Sequence, residues 1–241
     1  MKKIIEKTMD FLYPRRCPVC HDIVMPKGAL LCPECLEALP FVQGPICRKC
    51  GKILEDGEQE LCSDCREAEH VFDAGRGVFS YDEVMRKTIG QFKYHGRKEY
   101  ARPLGILTAR AMEQQLKIWK PQVIIPIPLY KKKLRMRGFN QTEEIGKVIS
   151  AYTQIPMETR VLHRVRNTAA MKELNPEERR ENMLRAFTCT EKEIPWEKIL
   201  LLDDIYTTGS TMDAAAIALR QKKPMEIYCL SVCIGKGFMV Q

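Results

Sequence analysis

The sequence predicts an α/β protein in which a mostly parallel sheet is flanked by helices and preceded by a cysteine-rich, four-cysteine zinc-ribbon module. Two observations lead to this fold class. From residue 123 onward, apolar strands alternate with helical stretches, which is typical of strands joined by crossover helices. Before residue 66, eight of the eleven cysteines form four Cys-x-x-Cys pairs. We therefore expect two domains, residues 1–70 with these cysteines and residues 71–241 with the sheet.

The length and composition are those of an ordinary globular protein. The 241 residues contain no run of 18 apolar residues, and charged side chains interrupt the first ten positions. Membrane insertion and a cleaved signal peptide are therefore not expected, and the cytoplasm is the expected compartment. In a reducing compartment, paired cysteines are more often metal ligands than disulfides.

The four cysteine pairs repeat at a fixed spacing, because a shift of thirty residues places the first two pairs on the last two. Each Cys-x-x-Cys turn directs two thiolates at one ion, and two turns complete the tetrahedral set that structural zinc prefers. Sequential pairing predicts two structural Zn2+ sites, and a cross-braced arrangement stays open. The expected ligands are Cys17, Cys20, Cys32 and Cys35 for one ion, and Cys47, Cys50, Cys62 and Cys65 for the other.

The remaining cysteines, Cys189, Cys229 and Cys233, lie among apolar residues and are expected to be small buried side chains. Charge is unevenly distributed between the two parts. Residues 1–70 hold 10 Lys and Arg against 12 Asp and Glu, whereas residues 71–241 hold 29 against 19. A basic surface on the second part suits an anionic ligand such as a polyphosphate or a nucleic acid.

Hydrophobic periodicity places the elements along the chain. A short amphipathic helix is expected at 4–13, followed after the cysteines by a strand at 77–81 and helices at 83–93 and 101–117. Strands at 123–128, 198–205 and 226–234 then alternate with helices at 141–151 and 211–221. Ligands of such sheets collect at the carboxyl ends of the strands. The polar residues at the end of the strand 198–205 are therefore candidate site residues.

An acidic and hydroxyl-rich segment ends that strand. Asp203 and Asp204 come directly after its apolar residues, and a loop containing Gly209 leads into the next helix. Hydroxyls and backbone amides at a helix N-terminus form a nest for a monophosphate, and the two acids can accept hydrogen bonds from ribose hydroxyls. The expected phosphate ligands are Thr207, Thr208, Gly209, Ser210 and Thr211.

The segment Leu200 to Thr211 resembles the phosphoribosyl-pyrophosphate motif of type I phosphoribosyltransferases. The chain as a whole resembles the ComF family, which is linked to natural transformation. The likeness covers nearly the whole sequence and rests, in this order along the chain, on the cysteine pairs and on the segments 92–96, 126–141, 164–187 and 200–211.

The resemblance implies a type I phosphoribosyltransferase fold that binds phosphoribosyl pyrophosphate together with Mg2+. It also implies an enzyme that transfers phosphoribose to an acceptor that the sequence does not identify. The pyrophosphate would meet the loop formed by Leu129, Tyr130, Lys131 and Lys132, beside five basic residues between 131 and 137. Residues 164–182 occupy the place of the mobile loop that closes over the reacting centre. The candidate catalytic residues are Asp203, Asp204, Lys131, Arg164 and Arg166.

The closing segment departs from the family at one point. Where the family usually has a glutamine after a Thr-Pro-Pro run, this chain reads Thr168-Ala169-Ala170-Met171. Two alternatives to an enzyme stay open. One, which fits this departure, is a sensor that binds phosphoribosyl pyrophosphate without turning it over. The other, which the basic surface of residues 71–241 and the zinc ribbons support, is a non-catalytic accessory that binds single-stranded DNA or other DNA-uptake proteins.

Four further residues have two interpretations each. His95 and His163 are acid-base candidates, since histidine titrates near neutral pH, or plain surface histidines. Asn140 and Gln141 either cap the next helix or touch the ligand. The sequence leaves the oligomeric state open.

Overall fold

The computed structural model describes residues 14–54, 57, 59–165, 186–191 and 193–235. The helix expected at 4–13, Arg166, Met171 and most of the 164–182 segment lie outside the described residues.

Four parallel strands form the central sheet, in the order β1-β6-β5-β2. They are β1 (Ala74–Ser80), β2 (Val123–Pro126), β5 (Lys198–Tyr206) and β6 (Glu226–Ile234). Two further strands in the described residues, β3 (Leu162–Arg164) and β4 (Phe187–Cys189), form a separate antiparallel pair. The predicted α/β class with a parallel sheet is confirmed.

Helices connect and cover these strands. In the described part of the chain they are α1 (Pro33–Glu37), α2 (Ser63–Glu67), α3 (Glu83–Tyr94), α4 (Ala101–Ala111), α5 (Glu113–Trp119), α6 (Lys131–Arg137), α7 (Gln141–Thr153) and α8 (Ser210–Arg220). The start of α3 illustrates the local causes: Asp82 caps it by accepting from the Met85 amide (2.9 Å). Met85, Ile89 and Phe92 then recur at helical spacing and are buried.

Two hydrophobic cores lie on opposite faces of the sheet, because successive strand residues point to opposite sides. Leu200 and Leu202 of β5 join the core that contains the buried faces of α3, α4 and α7. Ile199 and Leu201 join the core that contains α8, β3 and β4. The central strands are apolar on both faces for this reason.

The two cysteine units, called here the first ribbon (residues 17–35) and the second ribbon (residues 47–65), pack on different faces of this sheet. The first ribbon shares the core of α3 and α4, and the second shares the core of α8. The segment between the ribbons pairs with the outer edge of β1. The Val42 amide donates to the Val78 carbonyl (2.9 Å), and the Ser80 amide donates to the Pro40 carbonyl (2.8 Å). An edge that would otherwise be open to pairing with other chains is thereby covered. The division into domains at residue 70 stays a prediction.

Two expectations about elements were wrong. The helix predicted at 101–117 is divided at Met112 into α4 and α5, and the break leaves both Leu116 and Trp119 buried against the sheet. Lys131 and Lys132 were expected in the loop after β2, but they begin the helix α6 (Lys131–Arg137), which Gly138 ends in the left-handed conformation (φ 80°). Among the described residues, no helix has both the length and the apolar character that a membrane span requires.

Candidate phosphate site

The loop between β5 and α8 has the local geometry of an anion site. Gly209 is the N-cap of α8 and adopts the left-handed conformation (φ 82°), which turns the chain sharply from strand to helix. Thr207 and Thr208 are exposed, and the Thr208 and Ser210 hydroxyls lie 2.8 Å apart. Thr211 is half-buried in the first turn. The first amides of a helix have no intrahelical acceptor and carry the positive end of the helix dipole. The loop therefore presents hydroxyls and a helix N-terminus to the same space.

Asp204 is buried and fastened to two helices. Its Oδ2 atom accepts from the Gln141 amide nitrogen (2.5 Å) and lies 2.9 Å from the Lys93 ammonium. Burial lowers the pKa of Lys93, but the opposing effects of Asp204 and Asp203 together raise it by more. The pKa of Lys93 is therefore above its ordinary value, and the lysine is charged. This carboxylate therefore ties α3 and α7 to the end of β5.

Asp203 is half-buried and has a different environment. Its Oδ1 atom accepts from the Asp204 amide (2.8 Å). Burial and the neighbouring Asp204 charge raise the pKa of Asp203 to about 7, against the opposing effects of Lys93 and Arg164. The two adjacent acids thus have different partners.

Cations from three elements surround the two aspartates. Lys93 comes from α3, Lys133 and Arg137 come from α6, and Arg164 ends β3. Burial, together with the positive charges of Arg164, Arg137 and Lys93, lowers the pKa of Lys133. Burial also lowers the pKa of Arg164, and Asp203 opposes this change. We call Lys93, Lys133, Arg137 and Arg164 the basic cluster. It gives the end of the sheet a concentrated positive charge.

The residues expected at the pyrophosphate end lie beside this cluster in the chain. Leu129 and Tyr130 are half-buried between β2 and α6, and Lys131 and Lys132 are exposed at the start of α6. Lys133 and Arg137 are the less exposed basic residues of this helix. Their spacing of four residues places them on one face, and Arg137 donates a hydrogen bond to Gln141, which in turn reaches Asp204. The spacing is visible in the sequence, but it indicates a shared face only if these residues form a helix, and no helix was predicted here.

Three other candidate residues, Asn140, His95 and His163, make contacts that do not involve the two aspartates. Asn140 caps α7 by accepting from the Thr142 amide (3.2 Å), and its own amide group donates to the Ile127 carbonyl (3.1 Å). His95 is exposed, and the exposed His163 lies 2.6 Å from the Arg160 carbonyl. Both histidines have the surroundings of surface residues. Sequence reasoning missed His70, which is buried beneath the loop.

The two four-cysteine groups fit structural zinc. In each group, the four sulfur atoms lie within 4.8 Å of one another, and the sets are sequential: Cys17, Cys20, Cys32 and Cys35, then Cys47, Cys50, Cys62 and Cys65. The sulfurs of Cys20 and Cys32 are 4.0 Å apart, and those of Cys50 and Cys62 are 3.6 Å apart. Zinc–sulfur bonds of about 2.3 Å in a tetrahedron require sulfurs roughly 3.8 Å apart. The sequential arrangement is confirmed, and the cross-braced alternative is excluded.

The three remaining cysteines are buried, as expected. Cys229 and Cys233 lie in the central strand β6, and Cys189 lies in β4. Burial raises the pKa of each thiol, which disfavours the reactive thiolate.

Comparison with known proteins gives consistent relatives. Residues 8–66 match the family profile described as "Double zinc ribbon domain". The chain is 30% identical to Competence protein F of Haemophilus influenzae, over 88% of this chain and 93% of that protein. It is 26% identical to Competence protein ComFC of Bacillus subtilis, over 80% of this chain and 78% of that protein. It is 25% identical to DNA utilization protein YhgH of Escherichia coli, over 89% and 88% respectively.

Proposed function

The chain belongs to the ComF family of competence proteins, and we propose that it binds phosphoribosyl pyrophosphate with Mg2+ in the handling of DNA taken up by the cell. Relatives over most of its length are named for competence and for DNA utilization. A cytoplasmic location is part of the proposal, since thiolate zinc sites persist in a reducing compartment.

The observation that carries the proposal is the loop 207–211 at the carboxyl end of β5. The 5′-phosphate of the ligand would accept hydrogen bonds from the hydroxyls of Thr207, Thr208, Ser210 and Thr211 and from the amides freed by Gly209. Such a turn from strand to helix needs no charged side chain to hold a monophosphate, because the amides and the helix dipole supply the attraction. Positive charge is then available for the other end of the ligand.

The pyrophosphate of the ligand would lie against the basic cluster and the loop Leu129 to Lys132. Three cations of this cluster flank Asp203 and Asp204, where the ribose would sit. In the proposed transfer, an acceptor atom forms a bond to C1 of the ribose while the bond from C1 to the pyrophosphate oxygen breaks. Pyrophosphate leaves with the electron pair, and Lys131, Arg164 and Arg166 would stabilise the charge that develops on it.

The aspartates would orient the ribose. Asp203 accepts hydrogen bonds from ribose hydroxyls, and Asp204 holds Lys93 and α7 in place around it. Magnesium would be held chiefly by oxygens of the ligand and by water, in keeping with its preference for a hydrated octahedral shell. The protein's contribution is then orientation and charge stabilisation.

The two ends of the ligand can be tested separately by calorimetric titration with ribose 5-phosphate and with inorganic pyrophosphate. Ser210→Ala is expected to weaken binding of ribose 5-phosphate about tenfold to a hundredfold and to leave binding of pyrophosphate nearly unchanged, because a hydrogen bond to a charged group contributes about 1.5–3 kcal/mol. Arg137→Ala is expected to weaken pyrophosphate by a similar factor. The matched control is Arg135→Ala, which removes an exposed arginine from the same helix. Equal losses from Arg135→Ala and Arg137→Ala would contradict the assignment.

Turnover separates an enzyme from a sensor on the same site. Pyrophosphate release from phosphoribosyl pyrophosphate, screened against bases, amines and single-stranded DNA as acceptors, would establish a phosphoribosyltransferase. Tight binding without release in any of these mixtures would assign the site to a sensor.

A second function, binding of single-stranded DNA, is favoured by one exposed surface. Tyr94 is 73% exposed, and the Arg137 guanidinium lies 5.3 Å from its ring centre. The exposed side chains of Lys131, Lys132 and Arg135 lie on the same short helix as Arg137. Aromatic faces stack on bases, and neighbouring cations neutralise the phosphates of a single strand.

Fluorescence anisotropy with a labelled oligonucleotide tests this second function. Tyr94→Ala is expected to weaken binding about tenfold, since stacking of one base contributes about 1–3 kcal/mol. Tyr152→Ala removes an exposed tyrosine near the end of α7 and serves as the control. The affinity should fall steeply with salt, as counterions are released when phosphates are neutralised. Binding that changes neither with salt concentration nor with Tyr94→Ala would contradict this second function.

A further inference from the structure

A buried histidine lies beneath the loop 207–211 and connects this loop to the second ribbon. His70 is 6% exposed and follows the last cysteine of that ribbon by five residues. Its Nδ1 atom lies 2.7 Å from Oδ2 of Asp213, in the first turn of α8. The Val71 amide donates to the other oxygen of the same carboxylate (2.8 Å). Both oxygens of Asp213 are therefore held from the side of the second ribbon.

The ring of His70 and the hydroxyl of Tyr206 also support the backbone of the loop directly. A Cβ atom placed on Gly209 would lie 2.7 Å from Cε1 of His70 and 2.5 Å from the Tyr206 hydroxyl. His70 stacks on Phe72 with ring centres 4.9 Å apart, which fixes the plane of the imidazole. Since a carboxylate only accepts, Nδ1 donates to Asp213, and Nε2 lies 3.4 Å from the Tyr206 hydroxyl. Gly209 therefore adopts its left-handed conformation against a packed surface formed by His70 and Tyr206, which we call the floor of the loop.

The second ribbon reaches the same floor through a buried lysine. Lys52 lies between the two cysteine pairs of this ribbon, is 2% exposed and forms an ion pair with Asp64 of α2. Its ammonium lies 5.9 Å from the centre of the Tyr206 ring. The path from the zinc ligands to the loop is therefore short: the Lys52 ammonium lies over the Tyr206 ring, and the Tyr206 hydroxyl and the His70 ring lie against Gly209.

We propose that His70 is a positioning residue through which the second ribbon holds the loop 207–211 in its anion-binding conformation. The proposal rests on the function proposed for that loop. It assigns the second zinc ribbon a role at the site, whereas the first ribbon packs on the opposite face of the sheet.

The chemistry of Asp213 explains why this positioning is needed. Asp213 is an acid in the first turn of α8, the same turn whose amides would face the proposed phosphate. A carboxylate here stabilises the helix through the dipole but repels a bound phosphate if its charge turns toward the ligand. The bonds from His70 and Val71 hold the charge on the ribbon side. Without His70, one oxygen of Asp213 loses its partner and Gly209 keeps only the Tyr206 hydroxyl beneath it.

Two measurements on the full zinc-loaded chain test the proposal. The first is amide hydrogen exchange of residues 207–213 without ligand, and the second is calorimetric titration with ribose 5-phosphate. His70→Ala is expected to speed exchange in this segment and to weaken ribose 5-phosphate about tenfold to a hundredfold, the size expected for one hydrogen bond to a charged group. His70→Asn keeps a nitrogen donor at the position of Nδ1 and is expected to restore most of both properties.

A pair of tyrosine variants supplies the control and covers the case in which His70→Ala does not fold. Tyr206→Phe removes only the hydroxyl that contacts Gly209 and His70, and it should speed exchange of the same segment. Tyr100→Phe removes a hydroxyl bonded to His21 of the first ribbon (3.1 Å) and should leave the loop unchanged.

The outcomes separate this proposal from the proposed function. The positioning role is overturned if His70→Ala changes loop exchange and affinity less than twofold, if His70→Asn is no better than alanine, or if Tyr100→Phe loosens the loop equally. A wild-type chain that binds no ribose 5-phosphate would contradict the anion site, and hydrogen exchange would still decide whether His70 holds the loop.

Discussion

Among single residues, the two adjacent aspartates at the end of β5 differ in their surroundings. Asp204 is buried and fixed by Lys93 and Gln141, whereas Asp203 is half-buried and has a raised pKa. The sequence predicted the pair as site residues but treated both alike. The distinction depends on residues 63 and 111 positions away in the chain, whose approach a local pattern does not reveal.

The raised pKa of Asp203 predicts a pH-dependent effect of Asp203→Asn on stability. The pKa is about 7 in the folded protein and near 3.8 in an unpaired aspartate. Ionisation therefore costs the folded state stability as pH rises from about 4 to 7, because the unfolded chain releases the proton more readily. Asparagine avoids this cost. Urea denaturation should show that Asp203→Asn raises the free energy of unfolding, by more at pH 8 than at pH 5. An equal gain at both pH values would contradict the assigned environment.

Gly209 is predicted to be the least replaceable glycine of the site. Alanine there would have an unfavourable positive φ and would collide with Tyr206 and His70. Gly209→Ala should lower the free energy of unfolding by about 2–4 kcal/mol and weaken ribose 5-phosphate. Gly44 has a similar φ of 86° and open space around it, so Gly44→Ala should cost only about 1 kcal/mol. Similar losses in the two variants, measured by urea denaturation, would show that the close packing beneath Gly209 contributes nothing.

At the scale of elements, the strands and most helices could be predicted from periodicity because each has a regular apolar pattern. The strand predicted at 226–234 is β6 with the same bounds, and the helix predicted at 83–93 is α3 with one further residue. The short helix α6 could not be predicted in this way, since none of its residues is fully buried and it carries five basic residues. Its importance comes from where it lies, beside α3 and β5, and local sequence does not encode that position.

The two zinc sites are predicted to release their ions at different rates. In the first ribbon, Cys20 is exposed and Cys32 is half-buried, whereas Cys47, Cys50 and Cys62 of the second ribbon are buried. A chelator reaches exposed thiolates more readily. Release measured with a zinc-sensitive dye and excess chelator should have two phases of equal amplitude, about two ions per chain in total.

Single substitutions assign these phases. Cys32→Ser should abolish the fast phase, and Cys62→Ser should abolish the slow one. A single phase in the wild-type chain, or a fast phase that survives Cys32→Ser, would contradict the difference in exposure between the ribbons.

At the scale of the whole molecule, the ribbons hold one edge of the sheet from both faces, with the segment between them paired to β1. The sequence predicted the zinc ligands because their spacing is local. It did not predict that the segment directly after the second ribbon lies under the loop 207–211, since the contact between His70 and Asp213 joins residues 143 positions apart. The ribbons are thus part of the same packed structure as the site.

We propose that Asp203, Asp204 and the loop 207–211 together bind phosphoribosyl pyrophosphate. Isothermal titration of the zinc-loaded chain with phosphoribosyl pyrophosphate and Mg2+, beside the Asp203→Asn/Asp204→Asn double variant, tests this site as a whole. We expect micromolar binding to the wild-type chain, a free energy of about −8 kcal/mol, and loss of that binding in the double variant. Absence of binding to the folded wild-type chain, or equal binding by both proteins, would contradict it.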